Sequence, residues 1–190
     1  KKPRHSTTKI QKIFKKNFYN LFIFLFFMKR LFVAIPLNDN IREHITELST
    51  ALKKIDLDGT FVATENLHFT VKFLGNVEEK IIPEICETIE KSLLSIFKFS
   101  TEIKNVGVFP SFDQIQTVWI GTKSSELSSL HTKIYTILDH FRPEQQREIV
   151  SHLTILRLKS SKGKPQLQTA LSNWSQHNFG TLLVDRIILY

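Results

Sequence analysis

The chain has little of several things, and each shortage removes a class of protein. One cysteine in 190 residues permits no intramolecular disulfide and fits a reducing compartment, so a cytoplasmic location is expected. Six glycines and six prolines exclude a fibrous or low-complexity chain. A bilayer-spanning helix needs roughly 20 consecutive apolar residues, and Leu21 to Met28 supplies eight. Acidic residues are missing from residues 1–27, which hold seven of the 26 basic ones. The remainder carries 19 basic against 18 acidic residues, so the net charge of +8 belongs to the start of the chain. No general polyanion surface follows from it, and any phosphate recognition has to be local.

Hydrophobic residues make up 42% and aromatics 11%, enough for one packed domain or two lobes sharing a core. Residues 1–27 place an apolar stretch after a basic one with no small-residue cleavage site behind it. They are expected to be a leader, non-native or disordered, ahead of a two-lobed domain over 28–190. A membrane anchor is the alternative for that leader; otherwise no membrane partner is expected.

Strand and helix periods alternate along this domain. "RLFVAIPL" (30–37) reads as a buried strand, and Ile41, Ile45, Leu48, Leu52 and Ile55 mark an amphipathic helix. A strand through "HFTVKF" closes at Gly75-Asn76, and Ile82, Ile85, Ile89, Leu93 and Ile96 mark a second helix. Cys86 sits beside Ile85 on that apolar face and is expected to be buried. Strands over 99–109 and 115–121 precede a third helix through Leu127, Leu130, Ile134, Leu138 and Phe141. A strand over 148–158, a short helix over 167–174 and a strand over 181–190 complete an α/β or α+β layered domain.

Two short stretches resemble each other: "HFTVKFLG" (68–75) and "HLTILRLK" (152–159). Side chains alternate across a strand, so His68 and Thr70 share one face, as do His152 and Thr154, with apolar residues behind them. A hydrogen-bonded core pair is the bland reading of either copy, but two buried polar pairs in matching contexts are costly twice. A metal site fits poorly, because each motif offers one good ligand and no carboxylate. A serine-type triad fits poorly as well, for want of a nucleophile elbow or a nearby carboxylate. Two facing histidines do suit the opening of a cyclic phosphodiester, which needs a base on one side of phosphorus and an acid on the other. An imidazole with an ordinary pKa of about 6.5 can take either part, and the threonine hydroxyls can donate to the non-bridging oxygens. No metal and no cofactor is required by this scheme.

These motifs, with "RLFVAI" ahead of them, the frame "ENLHFTVKFLG" (65–75), "VWIG" (118–121) and "SHLTILR" (151–157), resemble the two-histidine (2H) phosphoesterases. Among these, the match is to the RNA 2',3'-cyclic phosphodiesterases of the 2'-5' RNA ligase family. The resemblance implies an α+β, bilobal, pseudo-twofold fold. Two antiparallel β-sheets face each other across a central cleft, with helices outside. It implies hydrolysis of a terminal 2',3'-cyclic phosphate on RNA, or on a small cyclic nucleotide, to a 2'-phosphate. His68 would be the proton donor and His152 the proton acceptor, with Thr70 and Thr154 holding phosphate and a monomer expected. Ligation through a 2'-5' bond, or non-catalytic binding of RNA ends, remains the alternative.

Further expectations attach to single residues. Lys72, four positions after His68, belongs by alternation on the phosphate face, or else is a solvated strand-end lysine. Arg157 matches the family's arginine, but alternation puts it off the His152 face and makes it structural unless a bulge reorients it. Phe109 and Phe112 flank a Pro turn where a base could stack, although ordinary loop packing also fits. His5, His44, His131, His140 and His177 read as surface or packing residues. Ser151 stands where the family commonly has proline, and Phe61 where tryptophan is frequent. The family usually continues past "ILY", so a bare sheet edge and lower stability are expected at Tyr190.

Overall fold

A computed structural model of the chain describes residues 11–12, 28–142 and 151–190. The leader expected over 1–27 lies outside these apart from Gln11–Lys12, as do residues 148–150 of the anticipated strand. The elements are β1 (Gln11–Lys12), β2 (Met28–Pro36), α1 (Asp39–Leu52), β3 (Gly59–Phe61), β4 (His68–Glu78), α2 (Ile82–Leu93) and β5 (Phe99–Phe109). They continue with β6 (Thr117–Gly121), α3 (Ser125–Ile137), β7 (His152–Leu158), α4 (Lys164–Ser172), β8 (Asn178–Val184) and β9 (Arg186–Leu189). No described helix is long and apolar enough to cross a membrane.

The helices start where their caps dictate. Asn38 Oδ1 accepts the Ile41 backbone N–H at 2.9 Å, and Ser124 Oγ accepts that of Leu127 at 3.1 Å, satisfying donors the helix leaves open. Pro83 stands in the first turn of α2, where its missing N–H costs nothing. Ile41, Ile45, Leu48 and Leu52 of α1 are fully buried, so the periodicity read from sequence is the face packed on the core. Helix α3 ends at Ile137, short of Phe141, and Cys86 is only partly buried.

Two sheets form, with strand orders β1-β9-β2-β4 and β3-β7-β6-β5-β8. Every pairing is antiparallel except the two-residue bridge of β1 with β9. Each sheet contains one antiparallel pair joined in sequence through a helix, β2 and β4 through α1 and β6 and β7 through α3, and the helices pack crosswise, α1 on β8 and α3 on β4. The register of the two units agrees. His68 lies opposite Pro36, the last residue of β2, and His152 lies opposite Gly121, the last residue of β6. This is the pseudo-twofold relation of the two lobes, and β4 and β7 approach within 8 Å between Cα atoms.

The single closing strand expected over 181–190 is instead two. β8 pairs with β5, and after a break at Asp185 β9 pairs with β2. The polypeptide thus passes from one sheet to the other almost without a loop, as strands do at the corners of packed sheets. Alternation shows that a segment is extended and half-buried; it does not show which sheet the segment joins. The edge expected to be bare carries the Gln11–Lys12 bridge, and the backbone N–H and C=O of Tyr190 both pair with Phe32, at 2.9 and 3.2 Å.

Candidate active site

Both histidines open their strands, and both are half-buried on the face turned away from the helices. Around each, the same local irregularity recurs. Ala34 pairs with Thr70 and Val33 with Lys72, so Val71 is an extra residue in β4. Trp119 pairs with Thr154 and Val118 with Leu156, so Ile155 is an extra residue in β7. A bulge places two residues against one and reverses the parity of everything beyond it. His68, Thr70 and Phe73 therefore share the cleft face of β4, while Phe69 and Lys72 point to the helices. Likewise His152, Thr154 and Arg157 share the cleft face of β7, with Leu153 and Leu156 buried behind.

Two expectations change for this one reason. Lys72 is not on the phosphate face. Its side chain is wholly buried against α3, with Nζ 3.6 Å above the Tyr135 ring, 3.4 Å from the Tyr135 carbonyl and 3.6 Å from Asp139 Oδ1. Arg157, expected to be structural, is exposed and lies opposite Thr117 and Thr60 on the cleft side.

His68 is oriented from beneath. Its Nδ1–H donates to the Asn66 carbonyl at 2.6 Å, which leaves Nε2 for the cleft. Asn66 closes a single 3-10 turn, Thr64–Asn66, and α1 grips that turn. Arg42 Nη1 donates to the Thr64 carbonyl, and the Thr46 and Thr64 hydroxyls meet at 3.1 Å. Burial pushes the His68 pKa below its ordinary value; the Asn66 carbonyl opposes this and the Arg42 charge adds to it. The ring stacks on Phe32 at 4.9 Å and lies 6.0 Å from Tyr190. Phe73 and Tyr190, both substantially exposed, extend this aromatic surface.

His152 has a different surround. Phe109 meets it edge-on at 5.0 Å and Trp119 at 6.2 Å. The indole lies flat on its sheet, which two glycines on either side make possible: a Cβ on Gly107 would stand 2.2 Å from the ring, and one on Gly121 2.8 Å. Phe109 thus lies against His152 rather than in the loop alone. Phe112 is exposed, with its carbonyl held by Gln168 Nε2 of α4 at 2.6 Å. Behind β7, His131 of α3 is buried, with Nδ1 3.4 Å from Ser151 Oγ. Burial, and secondarily the nearby His152, lower its pKa to about 4, so it is neutral at physiological pH.

Sequence reasoning missed Trp119 and the placement of Arg157. The glycine neighbours of Trp119 were a usable signal; nothing in a run of β-branched residues announces a bulge. Among the other histidines, His44 Nδ1 donates to the Phe179 carbonyl at 3.0 Å, His140 packs on Phe141, and His177 packs on Trp174 and Phe179. His5 lies outside the described residues.

Thr70 and Thr154 are half-buried beside their histidines, and neither hydroxyl hydrogen-bonds to another described residue. The arrangement offers two imidazoles, two hydroxyls and one guanidinium from facing strands, a set suited to an anion with a proton on each side to move.

Known proteins resemble the chain throughout this region. The family model described as LigT like Phosphoesterase matches residues 35–119. The RNA 2',3'-cyclic phosphodiesterase of Methanothermobacter thermautotrophicus is 32% identical over 163 residues, covering 84% of this chain and 88% of that protein. That of Methanocaldococcus jannaschii is 34% identical over 161 residues, covering 85% and 90%. Among solved structures, a Thermus thermophilus protein superposes with a TM-score of 0.72 at 18% identity, covering 85% and 87% of the two chains. E. coli LigT complexed with 3'-AMP gives 0.66 at 24% identity, covering 86% and 87%.

Proposed function

The chain belongs to the LigT-like phosphoesterases of the 2H superfamily, and from that premise we propose that it hydrolyses RNA 2',3'-cyclic phosphodiester ends to 2'-phosphomonoesters. One observation carries the reading: two His-x-Thr motifs in the same register, followed by the same bulge, on strands that meet at the cleft.

The reaction divides between the strands. Water attacks phosphorus in line with the 3' oxygen and gives its proton to His152. The bond from phosphorus to the 3' oxygen breaks, and His68 protonates the departing oxygen to leave a free 3'-hydroxyl. Thr70, Thr154 and Arg157 hold the non-bridging oxygens and meet the charge that grows on them. Protons move between imidazoles and substrate, so the scheme routes no step through a metal. The lowered pKa makes the His68 imidazolium a ready donor. The same shift leaves His68 Nε2 unprotonated in much of the population near neutrality, which favours the exchanged assignment as a second reading.

The test is turnover of a 2',3'-cyclic nucleotide and of a cyclic-phosphate-ended RNA in excess chelator. Each correctly placed acid or base contributes roughly 10²–10⁴ in rate, so His68→Ala and His152→Ala should each lose about that much. Near wild-type turnover in either variant sinks the mechanism. Tight binding of the cyclic end without turnover would turn the reading into the RNA-end binding module, and joining to a 5'-hydroxyl end would mark a ligase.

A further inference from the structure

Helix α3 connects β6 to β7 in sequence but packs on β4 and α2, and its side chains reach both motif strands. Residues 131, 135 and 139 are four apart and lie along one side of the helix and the turn after it. His131 touches Ser151, the residue before His152. Tyr135 and Asp139 hold Lys72, which stands just beyond the bulge that follows Thr70. Further on, Arg142 Nη1 donates to the Leu74 carbonyl at 3.3 Å and lies against Gly75, whose φ of +65° and lack of a Cβ leave the space.

Lys72 has no counterpart across the pseudo-twofold. At the same point of β7 stands Leu156, buried and apolar. A buried ammonium is an expensive way to fill a core position, and the direct alternative, a leucine, is present in the other lobe. What the cation adds is direction: it fixes β4 to a carbonyl, a ring and a carboxylate on the helix that leads into β7 and touches Ser151 beside His152.

Resting on the phosphodiesterase reading, we propose that Lys72 is a positioning residue that ties β4 to α3 and so sets the separation at which His68 and His152 bracket phosphorus. In-line transfer is sensitive to this, since a misplacement of about 1 Å costs on the order of 10²-fold in rate. The tie carries His68 and Thr70 together, while Thr154 and Arg157 of β7 still hold phosphate, so it acts on kcat more than on KM.

Two measurements on the full chain decide the matter. Lys72→Met keeps the apolar stem and removes the cation, and burial of a hydrophobe there should leave the thermal midpoint unchanged or raised. With a 2',3'-cyclic nucleotide its kcat should fall about 10- to 100-fold while KM stays within about threefold. Lys72→Arg should recover most of the loss. A role in stability alone would move the midpoint and leave kcat per folded molecule intact. Separately, nitroxide labels at Asn76→Cys and Gln116→Cys, one exposed site on each lobe, in a Cys86→Ser background, should show a shifted or broader distance distribution in Lys72→Met. An unchanged distribution, or an unchanged kcat, overturns the proposal. Asp139→Asn, at a half-exposed side chain, should move both readouts the same way by less and stands in if Lys72→Met fails to fold. A wild-type chain without turnover would overturn the phosphodiesterase reading instead, and the label distances would then decide the tie alone.

Discussion

Strands β4 and β7 are nearly the same object for six residues. From each histidine onward the burial runs half-buried, buried, half-buried, buried, buried, exposed, with the extra residue after the threonine in both. They part at the fifth position and the sixth. Lys72 and Leu156 point inward at the fifth; Phe73 and Arg157 face the cleft at the sixth. The lobes therefore share a frame and present unlike surfaces on it. The β4 side presents rings (Phe32, Phe73 and Tyr190) on which a base could stack, and the β7 side presents a guanidinium suited to a phosphate oxygen. A reaction whose two flanks differ, water on one and a sugar on the other, calls for a frame of this kind with unlike surfaces.

The strongest way to break the equivalence of the two motifs is to remove both histidines together. If they act as one unit, the His68→Ala/His152→Ala double variant should be no more than about threefold slower than the slower single variant, because residues acting together are far from additive. A double variant slower by the product of the single losses would mean that they work independently.

The difference at the sixth position comes next. Arg157→Met should lose about 10- to 100-fold in kcat/KM, as expected for a charge-assisted hydrogen bond worth roughly 1.5–3 kcal/mol. Phe73→Leu should change it only a few-fold, mostly through KM and more for RNA ends than for a mononucleotide. Equal losses would mean that both lobes grip phosphate. The threonines should then fall in a matched pair: Thr70→Val and Thr154→Val at about tenfold each, read as kcat/KM on the same substrate. A loss confined to one would place the phosphate against a single strand.

The smallest effect concerns pH and separates the two histidines by role. The acid must be protonated to act, so activity disappears as pH rises through its pKa; the base must be neutral, so activity disappears as pH falls through its own. The limb belonging to His68 should lie below the ordinary imidazole value of about 6.5. Arg42 contributes to that lowering, so Arg42→Met should move the limb upward. Movement of the alkaline limb in a kcat/KM profile makes His68 the donor, movement of the acid limb makes it the acceptor, and no movement of either removes His68 from the titration.

Much of this frame is legible in the sequence. The apolar stripes of α1 and α2 gave those helices their faces, and His-x-Thr on two apolar strands marked the candidate site, because periodicity is a direct image of burial. Position Val71 or Ile155 shows why the rest was not. A bulged residue there is as apolar and β-branched as its neighbours, so strict alternation put Lys72 on the cleft face and Arg157 off it, and the bulges reverse both placements. His131 was legible as a packing residue. It falls on the face of Leu127, Leu130 and Ile134, and a histidine in that company is buried far more readily than an isolated one.

The passage of the chain through Asp185 has a consequence for how the enzyme comes into being. Strand β9 reaches back to Val33 and Ala34, across about four-fifths of the sequence, so the sheet that carries His68 is finished only by residues made long after it. On the ribosome, the first sheet lacks its third full strand until the rest of the chain has been translated, and pairing across so long a separation slows folding. A nascent chain stopped before residue 186 would hold both histidines while the sheet that carries His68 still lacked β9.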